Sequence, residues 1–286
     1  MKYAVIDVGS NSVRLMLVAN GKVLYKRLST TRLGEGLASA PILLSLAIER
    51  TARAVADFYE VAKSEGAERV YAFATAAVRT AQNGEAFIQK VQSLCPLQVE
   101  VVSGETEAEL GILGALGNSD GAVLDMGGAS CELVVRKGGR TVYKKSVDIG
   151  VVRLKDECGT DKEKLLKATM RAVQAYGEIP KIKTVYAIGG TATTLGALIL
   201  GLREYDGEAV TGASITADKL QETADKLLSM PIEEIAKLPC MPKGRADVIA
   251  GGAFALATLL KSLGIEKMIV SDRDNLEGYA IMKGVL

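Results

Sequence analysis

Two short segments of the chain share one pattern of acidic, small and hydroxyl residues. Residues 4–18 read AVIDVGSNSVRLMLV and residues 122–135 read AVLDMGGASCELVV, so that Asp7 aligns with Asp125. Each copy predicts a strand, a tight loop of small residues and a returning strand. Successive backbone N–H groups in such loops form a nest for an anion, and serine hydroxyls add further donors. The predicted phosphate-binding residues are Gly9, Ser10, Asn11 and Ser12 in the first copy and Gly127, Gly128, Ala129 and Ser130 in the second.

A third loop of the same kind joins an apolar strand to a helix. It contains Gly189, Gly190 and Thr191. The free N–H groups and the dipole at a helix N-terminus favour an anion, so these residues are also predicted to bind phosphate. A fourth strand-to-helix turn, Thr75 to Arg79, would bring the guanidinium of Arg79 into the same cleft.

Three carboxylates stand in otherwise apolar strands or at their ends. Asp7, Asp125 and Glu132 would each be costly to bury without a partner of opposite charge. Magnesium, which keeps waters and phosphate oxygens among its ligands, is the natural partner beside a phosphate loop. The sequence therefore predicts that these three carboxylates bind Mg²⁺.

A base for activating water must be a carboxylate, because the chain contains no histidine. The segment SGETEAE places three acids, Glu105, Glu107 and Glu109, in the first turns of a predicted helix that begins just after a strand. Acids at a helix N-terminus also complement its dipole without any chemical role. The spacing alone does not choose among the three.

The elements that would hold these residues follow the order βββαβαβα, which is that of the ribonuclease H-like fold. Strands are predicted at 3–8, 13–19, 22–28, 69–75 and 97–103, with helices at 43–64, 76–93 and 105–116. A polar turn at 118–121 resembles a domain seam, and the second half repeats the plan. We therefore expect an α/β protein of two ribonuclease H-like domains, 1–118 and 119–286, with a helical insert at 243–262 in the second and the site in the cleft between them.

The composition excludes several classes of partner. Lys and Arg number 35 against 34 Asp and Glu, which leaves no broad basic face for nucleic acid. The absence of tryptophan and the presence of only 4 phenylalanines argue against platforms for base stacking. No apolar run has membrane-spanning length, no leader precedes the first strand, and the four cysteines are scattered. We expect a cytoplasmic protein that contacts neither nucleic acid nor membrane.

Taken together, these motifs resemble the exopolyphosphatase/guanosine pentaphosphate phosphatase (Ppx/GppA) family, within the actin, Hsp70 and sugar-kinase superfold. The segments that carry the resemblance are IDVGSNSVRL, TRLGEGL, FATAAVRTAQNG, VVSGETEAEL, LDMGGASCELVV, DIGVVRL, AIGGTATTLGAL and GRADVIAGGA. They extend from residue 5 to about residue 254, and together they are highly specific.

The resemblance implies an Mg²⁺-dependent hydrolase that releases orthophosphate from the end of inorganic polyphosphate. By position in the family pattern, Glu107 is the base that activates water, and Asp125 and Glu132 bind the metal. Arg79 would offset charge on the transferred phosphoryl group, as phosphoryl transfer requires. The remaining phosphate-binding positions implied by the family are Ser10, Asn11, Gly189, Gly190 and Thr191.

The chain departs from the family pattern at three places. Ala129 and Cys131 replace a glycine and a threonine of the second loop, and Asn275-Leu276-Glu277-Gly278 lacks an expected arginine. Ala129 would be strained if its position required positive φ. The longer members carry further helical domains that extend the grip on long polymers, so short chains are the expected substrates here.

The same catalytic centre would also serve a guanosine pentaphosphate (pppGpp) 5′-phosphohydrolase of the stringent response, which is the main alternative. A non-catalytic sensor of polyphosphate or alarmone is a third function, supported only by the altered second loop. A superfold ATPase or sugar kinase fits the motifs less well. The oligomeric state cannot be read from the sequence, and a homodimer is left open.

Overall fold

The computed structural model describes residues 1–286 and forms two mixed β-sheets with helices packed on them. The strands of the first sheet are β1 (Lys2–Val8), β2 (Ser12–Ala19), β3 (Lys22–Thr30), β4 (Arg69–Ala74) and β5 (Val99–Val101). Their order is β3-β2-β1-β4-β5, with β1, β2 and β3 antiparallel and β1, β4 and β5 parallel. The central strand β1 is buried from Ala4 onward, as its continuous apolar run predicts.

Four helices accompany this sheet: α1 (Ser45–Ser64), α2 (Ala76–Thr80), α3 (Gly84–Leu94) and α4 (Gly104–Leu116). The single helix predicted at 76–93 is in fact two helices with a break between them. The side chain of Asn83 accepts a hydrogen bond from Leu43 N at 2.8 Å and donates one to Leu43 O at 2.9 Å. These long-range bonds compete with the helical pattern, which explains why residues 81–83 leave the helix.

The second sheet repeats the topology of the first. Its strands are β6 (Gly121–Met126), β7 (Cys131–Lys137), β8 (Arg140–Val147), β9 (Thr184–Ile188), β10 (Ser214–Thr216) and β11 (Lys267–Val270). The order β8-β7-β6-β9-β11 matches the first sheet strand for strand, and β10 adds an antiparallel edge that the sequence did not predict. The prediction of an α/β fold with two related sheets is confirmed.

The helices of the second half fill the space around this sheet. They are α5 (Val151–Cys158), α6 (Lys162–Tyr176), α7 (Gly189–Leu200), α8 (Gly207–Val210), α9 (Ala217–Leu228), α10 (Ile232–Ile235), α11 (Ala246–Ser262) and α12 (Asn275–Met282). Almost every residue of α11 is buried, and Gly252 lets that helix approach Val151 of α5 closely. No helix of the chain is long and apolar enough to cross a bilayer.

The last helix, α12, returns to the first sheet rather than packing only on the second. Leu276 and Tyr279 share a buried cluster with Val5, Met16 and Phe73 of the first sheet. The rings of Tyr279 and Phe73 stack with their centroids 4.5 Å apart. The predicted division at 118/119 stays a prediction, and α12 joins the two halves beneath the cleft.

Candidate functional site

The cleft between the two sheets contains a polar pocket of about 70 Å³ at the ends of β1 and β6. All three predicted phosphate loops reach it, together with Asp7, Asp125 and Glu107. Arg79, Ala129 and Glu132 lie just behind this lining. The structure thus brings residues that are far apart in the sequence into one site.

The two repeated loops have the same internal bond. Gly9 N donates to Ser12 O at 3.0 Å, and Gly127 N donates to Ser130 O at 3.0 Å. The loops also touch each other across the cleft, because a Cβ atom on Gly128 would lie 2.7 Å from Ser10 Cβ. Glycine at position 128 therefore allows the two phosphate loops to meet.

Asn11 presents an unsatisfied amide to the pocket. Both its Oδ1 and Nδ2 atoms are buried and have no hydrogen-bond partner within the protein. Leaving buried polar atoms unpaired costs free energy, so they are available to a polar ligand. The amide can offer a donor to a phosphate oxygen.

Other predicted loop residues contribute through the backbone. The hydroxyl of Thr191 donates to Met126 O at 3.1 Å, so it is already engaged within the protein. Thr191 lies in the first turn of α7, where backbone N–H groups lack helical partners. Ala129 is buried and does not adopt positive φ, so its replacement of glycine causes no backbone strain. Its carbonyl accepts a hydrogen bond from Arg153 Nε at 3.2 Å.

The N-terminus of α7 enters the pocket through two glycines that allow close approach of charged groups. Gly189 has φ of 77°, and a Cβ atom there would lie 2.5 Å from Asp125 Oδ1. A Cβ atom on Gly190 would collide with the guanidinium of Arg245. The loop thus holds a carboxylate and a guanidinium against the positive end of a helix.

The pKa values of two predicted metal ligands are raised by their surroundings. Burial, followed by the charges of Asp274 and Glu107, raises the pKa of Asp125 to about 7. Burial also raises the pKa of Glu132 well above its usual value. Asp125 accepts a hydrogen bond from Asn275 Nδ2 at 3.0 Å, and Glu132 accepts one from Ser146 Oγ at 2.6 Å.

Asp7 has a cationic partner within the chain. Arg14 of β2 pairs with Asp7 and also with Asp274, which precedes α12. Burial raises the pKa of Asp7, and the charge of Arg14 opposes that rise. The Oδ1 atom of Asp7 remains buried without a partner.

The structure separates the three candidate bases. Glu107 is buried and lines the pocket, whereas Glu105 and Glu109 are exposed and pair with Lys144 at 3.2 and 2.7 Å. Arg79 Nη1 donates to Glu107 Oε2 at 2.8 Å and to Val102 O at 3.0 Å. Burial raises the pKa of Glu107, and Arg79 opposes that rise. Only Glu107 of the three can reach a molecule in the pocket.

Among the lining residues that the sequence did not identify are two arginines and an amide: Arg14, Arg245 and Asn275. The side chain of Arg245 is 6% exposed and forms no ion pair. Burial, followed by the charge of Arg14, lowers the pKa of Arg245 to about 10, so it remains a cation at neutral pH. An unpaired buried cation beside phosphate loops is suited to an anionic ligand. Arg14 stands in the otherwise apolar run of β2, and this local pattern could have marked it as a site residue. No comparable pattern surrounds Arg245.

The comparisons with known proteins identify the family of the chain. The model of the Ppx/GppA phosphatase family matches residues 5–283. Exopolyphosphatase 2 of Mycobacterium tuberculosis is 33% identical, with 98% of each chain covered. Guanosine-5′-triphosphate,3′-diphosphate pyrophosphatase of Pseudoalteromonas translucida is 29% identical over 99% of this chain and 58% of that protein. The crystal structure of an exopolyphosphatase-like protein superimposes with a TM-score of 0.91 at 26% identity, covering 99% of both chains.

Proposed function

The chain belongs to the Ppx/GppA phosphatase family, and from this we propose that it is a magnesium-dependent exopolyphosphatase. It hydrolyses the terminal phosphoanhydride of short inorganic polyphosphate and releases orthophosphate. The observation that carries this proposal is the position of Glu107, a buried carboxylate at the wall of a pocket otherwise built from anion-binding loops.

Groups with free hydrogen-bond donors bind the terminal phosphates. The two repeated loops and the N-terminus of α7 supply backbone N–H groups, and Asn11 supplies its unpaired amide. Arg245 supplies a buried guanidinium without a carboxylate partner. Phosphoryl transfer depends mainly on such positioning and charge neutralisation, which this set provides.

Glu107 takes the proton of the attacking water. The water oxygen forms a bond to the terminal phosphorus as the bond from that phosphorus to the bridging oxygen breaks. The shortened chain leaves with the electron pair of that bond, and orthophosphate is the other product. Arg79, behind the pocket lining, donates to the Glu107 carboxylate at 2.8 Å and thereby orients it toward the attacking water.

The carboxylates of the pocket fit Mg²⁺ as a hard cation that prefers oxygen ligands. Buried oxygens of Asp7 and Glu132 lack donors, and Asp125 faces the pocket. No three acidic or thiol side chains converge on one metal position, so Asp7, Asp125 and Glu132 do not form a closed metal site by themselves. Asp125 would hold the ion, together with Glu132 and Asp7. The ion would neutralise part of the negative charge of the phosphates.

A guanosine pentaphosphate phosphohydrolase is the second candidate. A cavity of about 450 Å³ adjoins the pocket at Arg14 and Arg245, and its walls include Tyr205, Met241 and Leu276. Such partly apolar walls suit a nucleoside. The distantly related pyrophosphatase of that specificity is a longer protein, of which this chain spans 58%.

Thermal protection separates the two candidates. An exopolyphosphatase is expected to gain stability from tripolyphosphate and Mg²⁺ at least as much as from the nucleotide, because the phosphate pocket provides most of the contacts. Protection by guanosine pentaphosphate but not by tripolyphosphate would favour the second candidate. Asn11→Ala, which removes the unpaired amide, should reduce protection by either ligand.

A further inference from the structure

The cavity beyond Arg14 and Arg245, which we call the exit chamber, adjoins the phosphate pocket and offers space for the rest of a chain whose end lies in that pocket. It measures about 450 Å³, against about 70 Å³ for the pocket, and the two share Arg14, Gly189, Gly190 and Arg245. The third and later phosphates of a linear polyphosphate would therefore meet the walls of the exit chamber.

Three of the four cations that line the exit chamber already pair with carboxylates. Arg27 Nη2 lies 3.3 Å from Glu65 Oε1, on the more exposed side. Lys26 Nζ lies 3.2 Å from Asp272 Oδ2 and 2.7 Å from Glu277 Oε1. Arg14 pairs with Asp274 as well as with Asp7. Arg245, at the boundary with the pocket, is the cation of this group that has no ion pair.

Three of the neutralising carboxylates, those of Asp272, Asp274 and Glu277, come from one short segment, 272–277, which joins β11 to α12. Lys26 and Arg14 lie on β3 and β2 of the opposite sheet, so the pairing joins the two halves of the chain. Burial favours protonation of Asp274, but the charges of Arg14 and Lys26 outweigh it and hold the pKa of Asp274 below its usual value. The segment therefore carries negative charge at neutral pH.

We infer that the carboxylates of segment 272–277 set an upper limit on the length of polyphosphate that this enzyme uses, an inference that rests on the proposed function. A phosphate in the exit chamber faces Asp272 and Asp274, and it gains little from cations whose charge is already compensated. A short chain ends before it meets this repulsion. The segment acts as a specificity determinant without contacting the reacting atoms.

Two conservative variants remove the charge and keep the fold. Asp274 accepts a hydrogen bond from Leu276 N as the N-cap of α12, and asparagine caps a helix equally well. Asp272 is 29% exposed and caps no helix, so Asp272→Asn alters the charge with little loss of packing. Glu266→Gln is the matched control, because it removes one exposed carboxylate that pairs with Lys183 away from the chamber.

The experiment compares kcat/KM on long-chain polyphosphate with kcat/KM on tripolyphosphate. Asp272→Asn and Asp274→Asn are each expected to raise this ratio about fivefold, since removing one partly screened charge changes affinity by a factor of this order. Glu266→Gln should leave the ratio unchanged. An unchanged ratio in both aspartate variants, or the same rise in the control, would overturn the inference.

A binding measurement keeps this test separate from the proposed function. Dissociation constants for long-chain polyphosphate and tripolyphosphate, measured by calorimetry with calcium in place of magnesium, should show the same shift toward long chains. Failure of the unaltered protein to release phosphate from tripolyphosphate would reject the proposed function. An unchanged ratio of the two dissociation constants would reject the role of segment 272–277, whatever the activity.

Discussion

At the scale of single residues, the proposed hydrolysis depends on a carboxylate that must be deprotonated to accept the proton of water. Burial raises the pKa of Glu107 from 4.5, so kcat/KM on tripolyphosphate should fall as the pH falls through a value above 4.5. Arg79 opposes this rise in pKa. Arg79→Met should therefore move the acid limb of the curve of kcat/KM against pH to higher pH. Lys144→Met, which removes only the partner of Glu105 and Glu109, should leave the limb in place. A limb that does not move in Arg79→Met would exclude Glu107 as the titrating group.

Two features require glycine at position 189: its positive φ and the closeness of Asp125. A pair of variants can separate their effects. Gly189 and Gly201 lie at opposite ends of α7 with φ of 77° and 68°, but only a Cβ atom on Gly189 would meet Asp125. Alanine at either position should cost about 1 kcal/mol of stability through positive φ, measured by urea unfolding. Only Gly189→Ala should also lose activity on tripolyphosphate, by about tenfold or more. Equal activity in the two variants would show that the contact with Asp125 has no role.

The pocket residues that could be predicted from the sequence are those that lie close together along the chain. The three loops each bring their donors together within four residues, so their spacing by itself indicates an anion site. Arg245 and Asn275 reach the pocket only through long-range packing of α11 and α12. The pairing of Arg14 with Asp274, 260 residues away, likewise has no local pattern.

At the scale of elements, α12 is held to the first sheet by one aromatic side chain. Tyr279 stacks on Phe73, and its hydroxyl donates to Glu100 Oε2 at 2.6 Å. Tyr279→Ala should lower the free energy of unfolding by about 3 to 5 kcal/mol, because it removes a buried ring and leaves a cavity. Tyr279→Phe keeps the ring and should cost about 1 kcal/mol. Similar losses for the two variants would mean that the hydrogen bond, rather than the stacking, anchors the helix.

The elements that the sequence predicted correctly are those with strong local periodicity. Both sets of three antiparallel strands, and the buried strands β4 and β9, follow from apolar runs bounded by turns. The break between α2 and α3 had a local signal, the Asn83-Gly84 pair, which the prediction of one helix over 76–93 passed over. The bond from Asn83 to a residue 40 positions earlier had no such signal. Strand β10 has only three residues and pairs with the distant β11, which explains why it was not predicted.

At the scale of the whole molecule, the two halves are closed on each other. Arg32 of the first half pairs with Asp247 of the second at 2.8 Å, and Thr30 Oγ1 donates to Lys243 O at 2.8 Å. Within the second half, Lys155 pairs with the same Asp247 carboxylate at 3.0 Å. The pocket of about 70 Å³ between the halves has room for only a few waters. Separation of the halves would widen it for a substrate.

Weakening the contact of Asp247 with the first half should favour a form in which the two halves are further apart. Asp247→Asn removes the carboxylate charge that both Arg32 and Lys155 contact. The closed arrangement of the two halves should then be less stable by about 1 kcal/mol. The radius of gyration of the free protein, measured by small-angle scattering, should increase, and addition of tripolyphosphate should reverse the increase. Asp218→Asn, which breaks an exposed pair with Lys261, is the control. Identical scattering from both variants and the unaltered protein would show that this pair does not hold the halves together.

The most direct measurement is phosphate release from tripolyphosphate by the purified chain with Mg²⁺, in parallel with Glu107→Gln. The amide keeps the shape of the side chain but cannot accept the proton of water. Release by the unaltered protein and a loss of about 100-fold or more in the variant, with tripolyphosphate binding retained, is the predicted result. Equal release by the two proteins would contradict the role of Glu107. No release by the folded unaltered protein, with binding retained, would favour a sensor over an enzyme.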